Sequence, residues 1–318
     1  MNKNSRIFIA GHNGLVGSAV YRNLIKKNFK NLIVISKDKL DLKDSKKVDK
    51  FFKKNRIEYL IICAAKAGGI LANSRYPVEF FNENILIQNS LLNAALKFKI
   101  KRTIFLGTSC IYPNKSPNPI KEEYLLTGQL HESNQAYAIA KIAGIKLCEA
   151  LYHQHNLDVV ALMPTNVYGV NDKYSNVNSH VIPAMLLKFI NAKKNKNLLV
   201  RLWGDGSPQR EFIYSDDLAE AIYKVLLSKK NFLHKICNNN FPIINIGTGE
   251  IYSIKQLANI IKFKLGYKGN ISFDKNYPNG VLKKNLNNNK IKKLGWSPKI
   301  KLGQGLELVI KDLKNDFF

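Results

Sequence analysis

Short apolar runs alternate with amphipathic stretches along the first half of the chain. The runs predict strands because they are continuously apolar, and the stretches predict helices because their apolar residues recur every three or four positions. Apolar strands joined by amphipathic helices indicate a parallel sheet that is covered on both faces. The predicted strands span residues 6–10, 31–35, 59–64, 102–107 and 158–163, and the predicted helices span residues 15–27, 44–55, 77–98 and 134–155.

The alternation weakens after residue 164, and the second half predicts a smaller lobe. Residues 166–180 are rich in asparagine, serine, tyrosine and glycine and predict a loop, and residues 274–290 predict a polar, irregular segment. A strand is expected at 243–246, and helices are expected at 181–191 and 253–265. The whole pattern predicts an α/β protein with a Rossmann-like, doubly wound parallel sheet and a smaller α/β substrate-binding lobe.

Composition excludes several other classes of protein. The 318 residues suffice for one large domain or two smaller ones. No apolar run approaches the ~18 residues of a membrane-spanning helix, and the first apolar stretch, at 7–11, is too short for the core of a signal peptide. Four scattered cysteines without a Cys-x-x-Cys pair favour neither disulfides nor a zinc site. We therefore expect a cytoplasmic protein with no metal and no membrane partner.

The formal net charge of +27 raises the possibility of a nucleic-acid-binding protein. The excess comes almost wholly from lysine, because the chain holds only seven arginines. Arginine is the usual bidentate reader of phosphates and base edges. A diffuse lysine charge therefore favours attraction of a small anion such as a nucleotide, and no nucleic-acid partner is expected.

Tyr137 and Lys141 form a Tyr-x-x-x-Lys motif on a predicted helix. Residues four apart share one helix face, so the phenol and the ammonium can meet at one site. A free tyrosine ionises near pH ~10, and a neighbouring cation is expected to lower that pKa by stabilising the phenolate. The pair then predicts a proton donor and acceptor that works near neutrality. The motif is common by chance in a lysine-rich chain, so its weight comes from the motifs around it.

A glycine-rich segment separates the first strand from the first helix. Such a turn lets backbone N–H groups approach a pyrophosphate, whose charge the helix N-terminus favours. The spacing is Gly-x-x-Gly-x-x-Gly, which differs from the dinucleotide fingerprint Gly-x-Gly-x-x-Gly, and an ordinary glycine turn is the alternative. The segment consists of Gly11, His12, Asn13, Gly14, Leu15, Val16 and Gly17.

The residues after the second predicted strand bear on the choice of cofactor. Ser36 and Lys37 stand where the adenosine ribose of a dinucleotide would lie. A lysine at this place suits a 2′-phosphate, whereas an acidic residue would accept from a 2′-hydroxyl. We therefore predict NADP(H) rather than NAD(H), with Asp41 and Leu42 flanking the adenine.

The glycine segment, the stretch from Thr108 to Tyr112 and the Tyr-x-x-x-Lys motif, in this order, resemble the extended short-chain dehydrogenase/reductases that act on nucleotide sugars. Within that group the chain is similar to the GDP-L-fucose synthases, which are 3,5-epimerases and 4-reductases. The likeness runs from about residue 6 to about residue 303. The shared stretches are residues 8–17, 64–70, 107–113, 137–149, 163–166 and 178–184.

The resemblance implies a substrate, GDP-4-keto-6-deoxy-D-mannose, and a set of catalytic roles. The C4 ketone acidifies the protons on C3 and C5, and inverting those centres needs a base and an acid. The family's cysteine and histidine fall on Cys110 and His180. NADPH would then reduce C4 while Tyr137 protonates the oxygen and Lys141 binds the nicotinamide ribose. Thr108 would hydrogen-bond the ketone oxygen.

The resemblance also implies binding residues, with some departures from the family. Ser109 could share the role of Thr108, which replaces the family's usual serine. Asn13 stands where the family often has arginine, and Asn279 where it often has aspartate. The implied cofactor contacts beyond the glycine segment are Ala64, Leu106, Gly107, Thr108, Ser109, Lys141, Pro164, Thr165, Asn166, Val167 and His180. The implied substrate contacts are Ser109, Lys188, Trp203, Arg210, Asn279 and Lys284.

Domain limits, assembly and alternative activities follow from the same resemblance. Residues 1–165 and 211–247 are expected to form the NADP-binding domain, and residues 166–210 and 248–318 the lobe that binds the GDP-sugar. A homodimer is expected to form through the two long helices of the first half. A 4,6-dehydratase is disfavoured because Ser109 and Cys110 replace its Asp-Glu pair, and a simple 4-epimerase needs no Cys/His pair. A synthase for another GDP-4-keto sugar, such as GDP-L-colitose synthase, and a plain 4-reductase remain open.

Overall fold

The computed structural model of the chain describes residues 1–175, 179–277 and 279–317. The strands are β1 (Ile7–Ala10), β2 (Leu32–Ile33), β3 (Tyr59–Ile62), β4 (Arg102–Leu106), β5 (Val159–Pro164), β6 (Asn166–Tyr168), β7 (Leu199–Trp203), β8 (Gln209–Tyr214), β9 (Ile243–Ile246), β10 (Ile251–Ser253), β11 (Asn270–Asp274) and β12 (Lys283–Lys284). The helices are α1 (Leu15–Lys26), α2 (Ser45–Asn55), α3 (Ile70–Arg75), α4 (Pro77–Lys97), α5 (Gln135–His155), α6 (Val181–Lys194), α7 (Ser215–Leu227), α8 (Lys230–Ile236), α9 (Ile254–Leu265), α10 (Asn289–Lys293) and α11 (Leu302–Phe317).

A six-stranded parallel sheet forms the centre of the first half. Its strand order is β2-β1-β3-β4-β5-β9. β2 lies on one side of β1, and β3 and the later strands lie on the other, so the strand order reverses between β1 and β3. Alternate side chains enter different cores: Phe8 packs with residues of α2, α4 and α5, whereas Ile7 and Ile9 pack with residues of α1 and α7. The predicted doubly wound parallel sheet is confirmed. A ligand crevice is expected beyond the carboxyl ends of the strands at the reversal point.

The second half contributes two small sheets and a third core. In one sheet β8 pairs in parallel with β6 and β12 and antiparallel with β10; in the other, β11 pairs in parallel with β7. Apolar residues of α6, α9 and α11 pack together beside these strands. β8 runs from Gln209 to Tyr214 and pairs along its whole length with strands of the second half. The expected domain boundary at residue 211 falls inside this strand and stays a prediction.

Two segments that were expected to be irregular contain regular structure. The predicted loop at 166–180 begins with β6, because the backbone of Asn166 to Tyr168 pairs with β8; residues 176–178 lie outside the described residues. The segment at 274–290 contains β12 and the start of α10. Within the described part of the chain, no helix combines the length and the apolar composition needed to cross a bilayer.

Candidate active site

Close packing at the carboxyl edge of the sheet explains the glycine segment. Gly11 has a φ of +88°, and a Cβ on it would lie 2.6 Å from the backbone nitrogen of Ala64. A Cβ on Gly17 would lie 2.1 Å from the carbonyl oxygen of Gly11. Side chains at these two positions would push the turn away from α1 and β3. The glycines therefore hold the turn in close contact with the first helix.

The start of α1 is built to receive an anion. Gly14 occupies the N-cap position without a side-chain cap, and the first turn of the helix holds no acidic residue. The first N–H groups of the helix are therefore available to a ligand, and the helix dipole favours negative charge there. Beside them, Nδ1 of His12 is buried and has no hydrogen-bond partner. A dinucleotide pyrophosphate fits this cradle.

The predicted adenosine end lies in the turn after β2. Lys37 and Lys39 are both exposed there. The Lys37 side chain is 78% exposed, and its Nζ lies 3.8 Å from Oε2 of Glu83. The same carboxylate binds Nζ of Lys66 at 2.6 Å, so Lys37 is only loosely held and can reach a phosphate. Asp41 accepts the backbone N–H of Lys43 at 3.0 Å.

The other residues that were predicted to lie near the adenosine or its 2′-phosphate are Ser36, Leu42 and Asn13. The side chain of Ser36 hydrogen-bonds Asp38 and helps to lower the pKa of that carboxyl. Leu42 packs against the core under α2 and α4. Asn13 offers its carbonyl oxygen to Nδ2 of Asn171 at 3.3 Å. None of these side chains supplies the positive charge that the arginine of the family would bring at position 13. The prediction of a 2′-phosphate therefore depends on Lys37.

Tyr137 and Lys141 lie at this edge, on the first turns of α5. The Tyr137 side chain hydrogen-bonds that of Thr108, and its ring contacts Phe80 edge-on. Nζ of Lys141 donates to the carbonyl oxygen of Leu106 at 2.8 Å and lies 5.0 Å from the centre of the Phe105 ring. The lysine is thus anchored under the last residue of β4, one turn of helix below the tyrosine.

The expectation that Lys141 lowers the pKa of Tyr137 is wrong. Burial raises the pKa of Tyr137, with a further rise from Cys110 that the Thr108 hydrogen bond partly offsets. Burial lowers the pKa of Lys141 to about 8. Desolvation outweighs any attraction between the two groups, and the ammonium is already held by the Leu106 carbonyl. At neutral pH the tyrosine is therefore a protonated phenol, which is the form that donates a proton.

The thiol of Cys110 belongs to the same cluster. The Thr108 hydroxyl accepts the backbone N–H of Cys110 at 3.2 Å and caps a short 3₁₀ helix, Ser109–Ile111. The half-buried Cys110 interacts electrostatically with Tyr137, Arg210 and Lys284. The hydroxyl, thiol and phenol that the sequence predicted are therefore neighbours, whereas Ser109 is buried.

His180 enters from the second half, as the N-cap residue of α6. Its side chain opens to solvent, yet the protein around it displaces enough water to lower its pKa. Within the described residues no hydrogen bond joins its ring to Cys110 or Tyr137. The loop after β3 comes close, since a Cβ on Gly69 would lie 2.3 Å from the carbonyl oxygen of Ser179.

We expect Gly69→Ala to lower the rate of epimerisation by about 10²-fold, because an added methyl must displace the backbone that carries His180, and a shift of ~1 Å can cost that much. Solvent deuterium exchange into the substrate measures the effect. Gly303→Ala is the matched control, since a Cβ there would meet its nearest neighbour, Lys264, only at 3.9 Å. Equal exchange by the two variants would show that the contact does not position His180.

Four of the predicted cofactor residues lie at the end of β5 and in β6. Oγ1 of Thr165 and Nδ2 of Asn166 donate to the same acceptor, the carbonyl oxygen of Glu211, at 3.1 and 2.9 Å. Their donors are therefore committed to the protein. Pro164 ends β5, and Val167 packs against the core under α1 and α7. These residues support the site through their backbone and their packing.

The predicted nucleotide-binding residues form a second group around an exposed indole. Trp203, 42% exposed, stacks on Tyr277 with ring centres 4.5 Å apart and planes 8° from parallel. Nζ of Lys188 lies 5.2 Å from the Trp203 ring and donates to the carbonyl oxygen of Arg201 at 2.9 Å. Lys188 is therefore ordered over the indole rather than free in solvent. Asn279 accepts the backbone N–H of Asp205 at 2.9 Å.

Two cations connect this group to Cys110. Arg210 and Lys284 are register partners on β8 and β12, and burial lowers the pKa of both. A Cβ on Gly280 would lie 3.3 Å from Nη2 of Arg210, so the segment that carries Asn279 passes directly over the arginine. Among the described residues, no carboxylate forms an ion pair with either cation. Partly desolvated cations without a counter-ion indicate a site for an anion.

Sequence reasoning missed Tyr277 and the carboxylate of Glu211. Tyr277 lies in a polar segment, where nothing but the folded structure shows its stack on Trp203. Glu211 is fully buried and accepts the backbone N–H groups of Gly249 at 2.5 Å and Leu286 at 2.9 Å. It thereby ties β8 to the segment after β12, which fixes Arg210 beside Lys284. The sequence feature that could have indicated Glu211 is the charged pair Arg210-Glu211, directly before the apolar end of a strand.

Similarity to known proteins agrees with the site. Residues 7–247 match the NAD dependent epimerase/dehydratase family. The chain is 44% identical to a putative GDP-L-fucose synthase 2 of Arabidopsis thaliana over 306 residues, which cover 96% of this chain and 90% of the relative. It is 42% identical to the GDP-L-fucose synthase of Escherichia coli K12 over 305 residues, covering 95% and 94%.

Solved structures extend the similarity to reductases. A GDP-6-OMe-4-keto-L-xylo-heptose reductase from Campylobacter jejuni has a TM-score of 0.92 and 34% identity, covering 99% of both chains. A GDP-mannoheptose C4 reductase from the same organism, with NADP bound, has a TM-score of 0.88 and 35% identity, again covering 99% of both. The resemblance predicted from the motifs is confirmed. The chain belongs to the NAD dependent epimerase/dehydratase family and, within it, is similar over nearly its whole length to the GDP-L-fucose synthases.

Proposed function

We propose that the protein catalyses the NADPH-dependent 3,5-epimerisation and 4-reduction of GDP-4-keto-6-deoxy-D-mannose to GDP-L-fucose. One observation carries the proposal: the Cys110 thiol interacts electrostatically with the Tyr137 phenol and with the Arg210 and Lys284 cations. A thiol, a proton donor and an anion site are thus grouped together. A nucleotide sugar has a ring for the first two and a diphosphate for the third.

The cofactor site takes NADP(H). The turn from Gly11 to Gly17 would hold the pyrophosphate against the start of α1, and Lys37 would meet the 2′-phosphate. Lys141, anchored by the Leu106 carbonyl, would hold the nicotinamide ribose. When bound, NADPH supplies the hydride that reduces C4 of the sugar. The NADP-bound relative supports the same choice of cofactor.

The chain's own residues would move the protons. Cys110 and His180 would exchange protons at C3 and C5 while the C4 ketone stabilises the carbanion character at its neighbours. The two residues come from different elements, one after β4 and one at the N-cap of α6, and inversion of a ring carbon would require them to approach opposite faces of the sugar. The Thr108 hydroxyl would hydrogen-bond the ketone oxygen, and the Tyr137 phenol would donate its proton there during reduction.

The GDP moiety would lie along the second group of residues. Arg210 and Lys284 would pair with the diphosphate. Trp203, already stacked on Tyr277 and 42% exposed, would offer the exposed part of its indole to the guanine or ribose. Asn279 keeps the Trp203–Asp205 turn in place through the backbone of Asp205.

A plain GDP-4-keto-sugar 4-reductase is the second candidate, because the two solved structures that share the fold closely are those of reductases. A synthase for a different GDP-4-keto sugar, such as a GDP-L-colitose synthase, is a related candidate. These candidates share Tyr137 and Lys141 and differ in whether protons on C3 and C5 exchange with solvent.

The test of the function is a turnover assay. Mixing the protein with NADPH and GDP-4-keto-6-deoxy-D-mannose should consume NADPH, measured by its absorbance, and NMR should identify GDP-L-fucose as the product. GDP-mannose, which lacks the ketone, should give no consumption. Failure to oxidise NADPH with the keto sugar would contradict the proposal.

We also propose that the protein is a homodimer that pairs through α4 and α5. Val78, Leu86 and Ile139 on these helices are 64%, 48% and 42% exposed, and covering such apolar groups is favourable. Leu86→Lys should convert the dimer to a monomer in sedimentation velocity, whereas Phe263→Lys, on the 81% exposed side chain of α9, should not. A monomeric wild type would contradict this. The cytoplasmic location and the lack of a nucleic-acid partner stay predictions.

A further inference from the structure

We propose that His131 is a third polar side chain of the diphosphate site and takes up a proton when the GDP-sugar binds. The inference rests on the proposed function and adds to it a residue and a linked protonation. No motif of the sequence indicates His131, which precedes a short 3₁₀ helix, Glu132–Asn134, ahead of α5.

Contacts through α3 connect the segment that carries His131 with the segment that covers Arg210. The first residue of this helix, Ile70, has its Cδ1 3.8 Å from a Cβ added to Gly280, and that Cβ would lie 3.3 Å from Nη2 of Arg210. Four residues along, Oγ of Ser74 donates to the carbonyl oxygen of Ser133. The His131 segment and Arg210 are therefore packed around the same short helix.

Electrostatics lead to the same placement. Burial lowers the pKa of His131, the charges of Lys284 and Arg210 lower it further, and Glu132 opposes them weakly. The imidazole is therefore neutral at neutral pH. It lies within the electrostatic influence of two cations that form no ion pair with a carboxylate of the described residues. Of the neighbouring elements, α3 brings Arg75, whose guanidinium lies over the Tyr76 ring.

The hydrogen bonds of the ring change with its protonation state. Nδ1 of half-buried His131 accepts the backbone N–H of Ser133 at 3.3 Å and lies 2.8 Å from the Ser133 Oγ. In the neutral ring this fixes the hydrogen on Nε2, which is then a donor. After protonation, the Ser133 hydroxyl can rotate and accept from Nδ1, but the Ser133 N–H loses its acceptor. The free protein therefore favours the neutral ring, and a bound anion must supply what the imidazolium loses.

Binding of a diphosphate changes the balance of charge at the ring. The anion neutralises the field of Arg210 and Lys284 and offers an acceptor to Nε2, and both effects favour the imidazolium. Protons are then taken up at pH values between the pKa of His131 in the free protein and its higher pKa in the complex. For each unit by which these two pKa values differ, binding becomes about tenfold tighter as the pH falls through that range.

Calorimetry with GDP-mannose tests the inference, because its diphosphate is a diester without a titration of its own near neutrality. Titrations in two buffers of different ionisation enthalpy, from pH ~6 to ~8 around the ordinary histidine range, give the protons taken up. We expect uptake by the wild type and by His155→Gln, an exposed control at the end of α5. We expect less uptake and a flatter pH dependence of affinity for His131→Gln.

The outcomes separate the inference from the proposed function. Because other groups of the crevice can also exchange protons, the result is read as the difference in proton uptake between wild type and His131→Gln. Equal uptake by both proteins would overturn the inference while leaving the proposed function intact. Absence of GDP-mannose binding by the wild type would overturn both. NMR titration of the wild-type His131 ring, with and without GDP-mannose, gives the same answer without a variant: the ring should titrate at higher pH in the complex, and an unchanged titration would refute the proposal.

Discussion

Tyr137→Phe should lower the rate of C4 reduction by about 10²- to 10⁴-fold, the usual contribution of a positioned acid. In the proposed mechanism the phenol gives a proton to the C4 oxygen, and burial together with Cys110 keeps it protonated at neutral pH. The ring itself contacts Phe80, and phenylalanine preserves that contact. The variant should therefore fold and bind NADPH normally, and single-turnover oxidation of NADPH should show the loss.

Tyr223→Phe is the matched control for this prediction. Tyr223 lies on α7, contacts the Phe29 ring edge-on, and forms no hydrogen bond through its hydroxyl within the described residues. Its variant should reduce the substrate at the wild-type rate. Near-normal reduction by Tyr137→Phe, with the control unaffected, would remove Tyr137 from the chemistry. A loss confined to NADPH affinity would make it a binding residue.

Cys110→Ser should abolish most of the deuterium exchange at C3 and C5, by about 10²- to 10⁴-fold, while the fold stays intact. A hydroxyl has about the size of a thiol, but it does not ionise near neutrality and cannot serve as the base. The hydrogen bond between the Cys110 N–H and Thr108 does not depend on the side chain, so the 3₁₀ helix should remain. Mass spectrometry of the substrate recovered from deuterated water, without NADPH, measures the exchange.

Cys237→Ser serves as the control for the thiol. Cys237 is buried far from the carboxyl edge of the sheet, at the end of α8, and burial raises the pKa of its thiol to about 11. We expect its variant to exchange like the wild type. Full exchange at both carbons by Cys110→Ser would assign the proton transfers to His180 and other groups, and would leave the thiol as a packing residue.

The sequence predicted the sheet better than the smaller lobe, for a physical reason. Strands buried on both faces, such as β1 and β3, are continuously apolar and stand out in any sequence. β8 begins with Gln209, Arg210 and Glu211, three polar residues whose side chains point into a ligand site or are satisfied by backbone N–H groups. β6 is short and contains Asn166. Such strands exist because tertiary partners pair with them, and no local pattern records those partners.

The candidate site shows the same division. Motifs located Tyr137, Lys141 and Cys110, and the structure brings these residues to one edge of the sheet with Thr108. The direction of the Tyr137 pKa could not be predicted, because it depends on desolvation and on the Leu106 carbonyl that holds Lys141. The stack of Tyr277 on Trp203 is a contact between segments distant in the chain, which one sequence does not reveal.

The reaction in deuterated water tests the central claim, that one crevice performs both proton exchange and reduction on one sugar ring. The wild type is mixed with NADPH and GDP-4-keto-6-deoxy-D-mannose, and the product is examined by NMR. We predict GDP-L-fucose that carries deuterium at both C3 and C5. A reduced product without deuterium at either carbon would contradict the account and identify the protein as a plain 4-reductase.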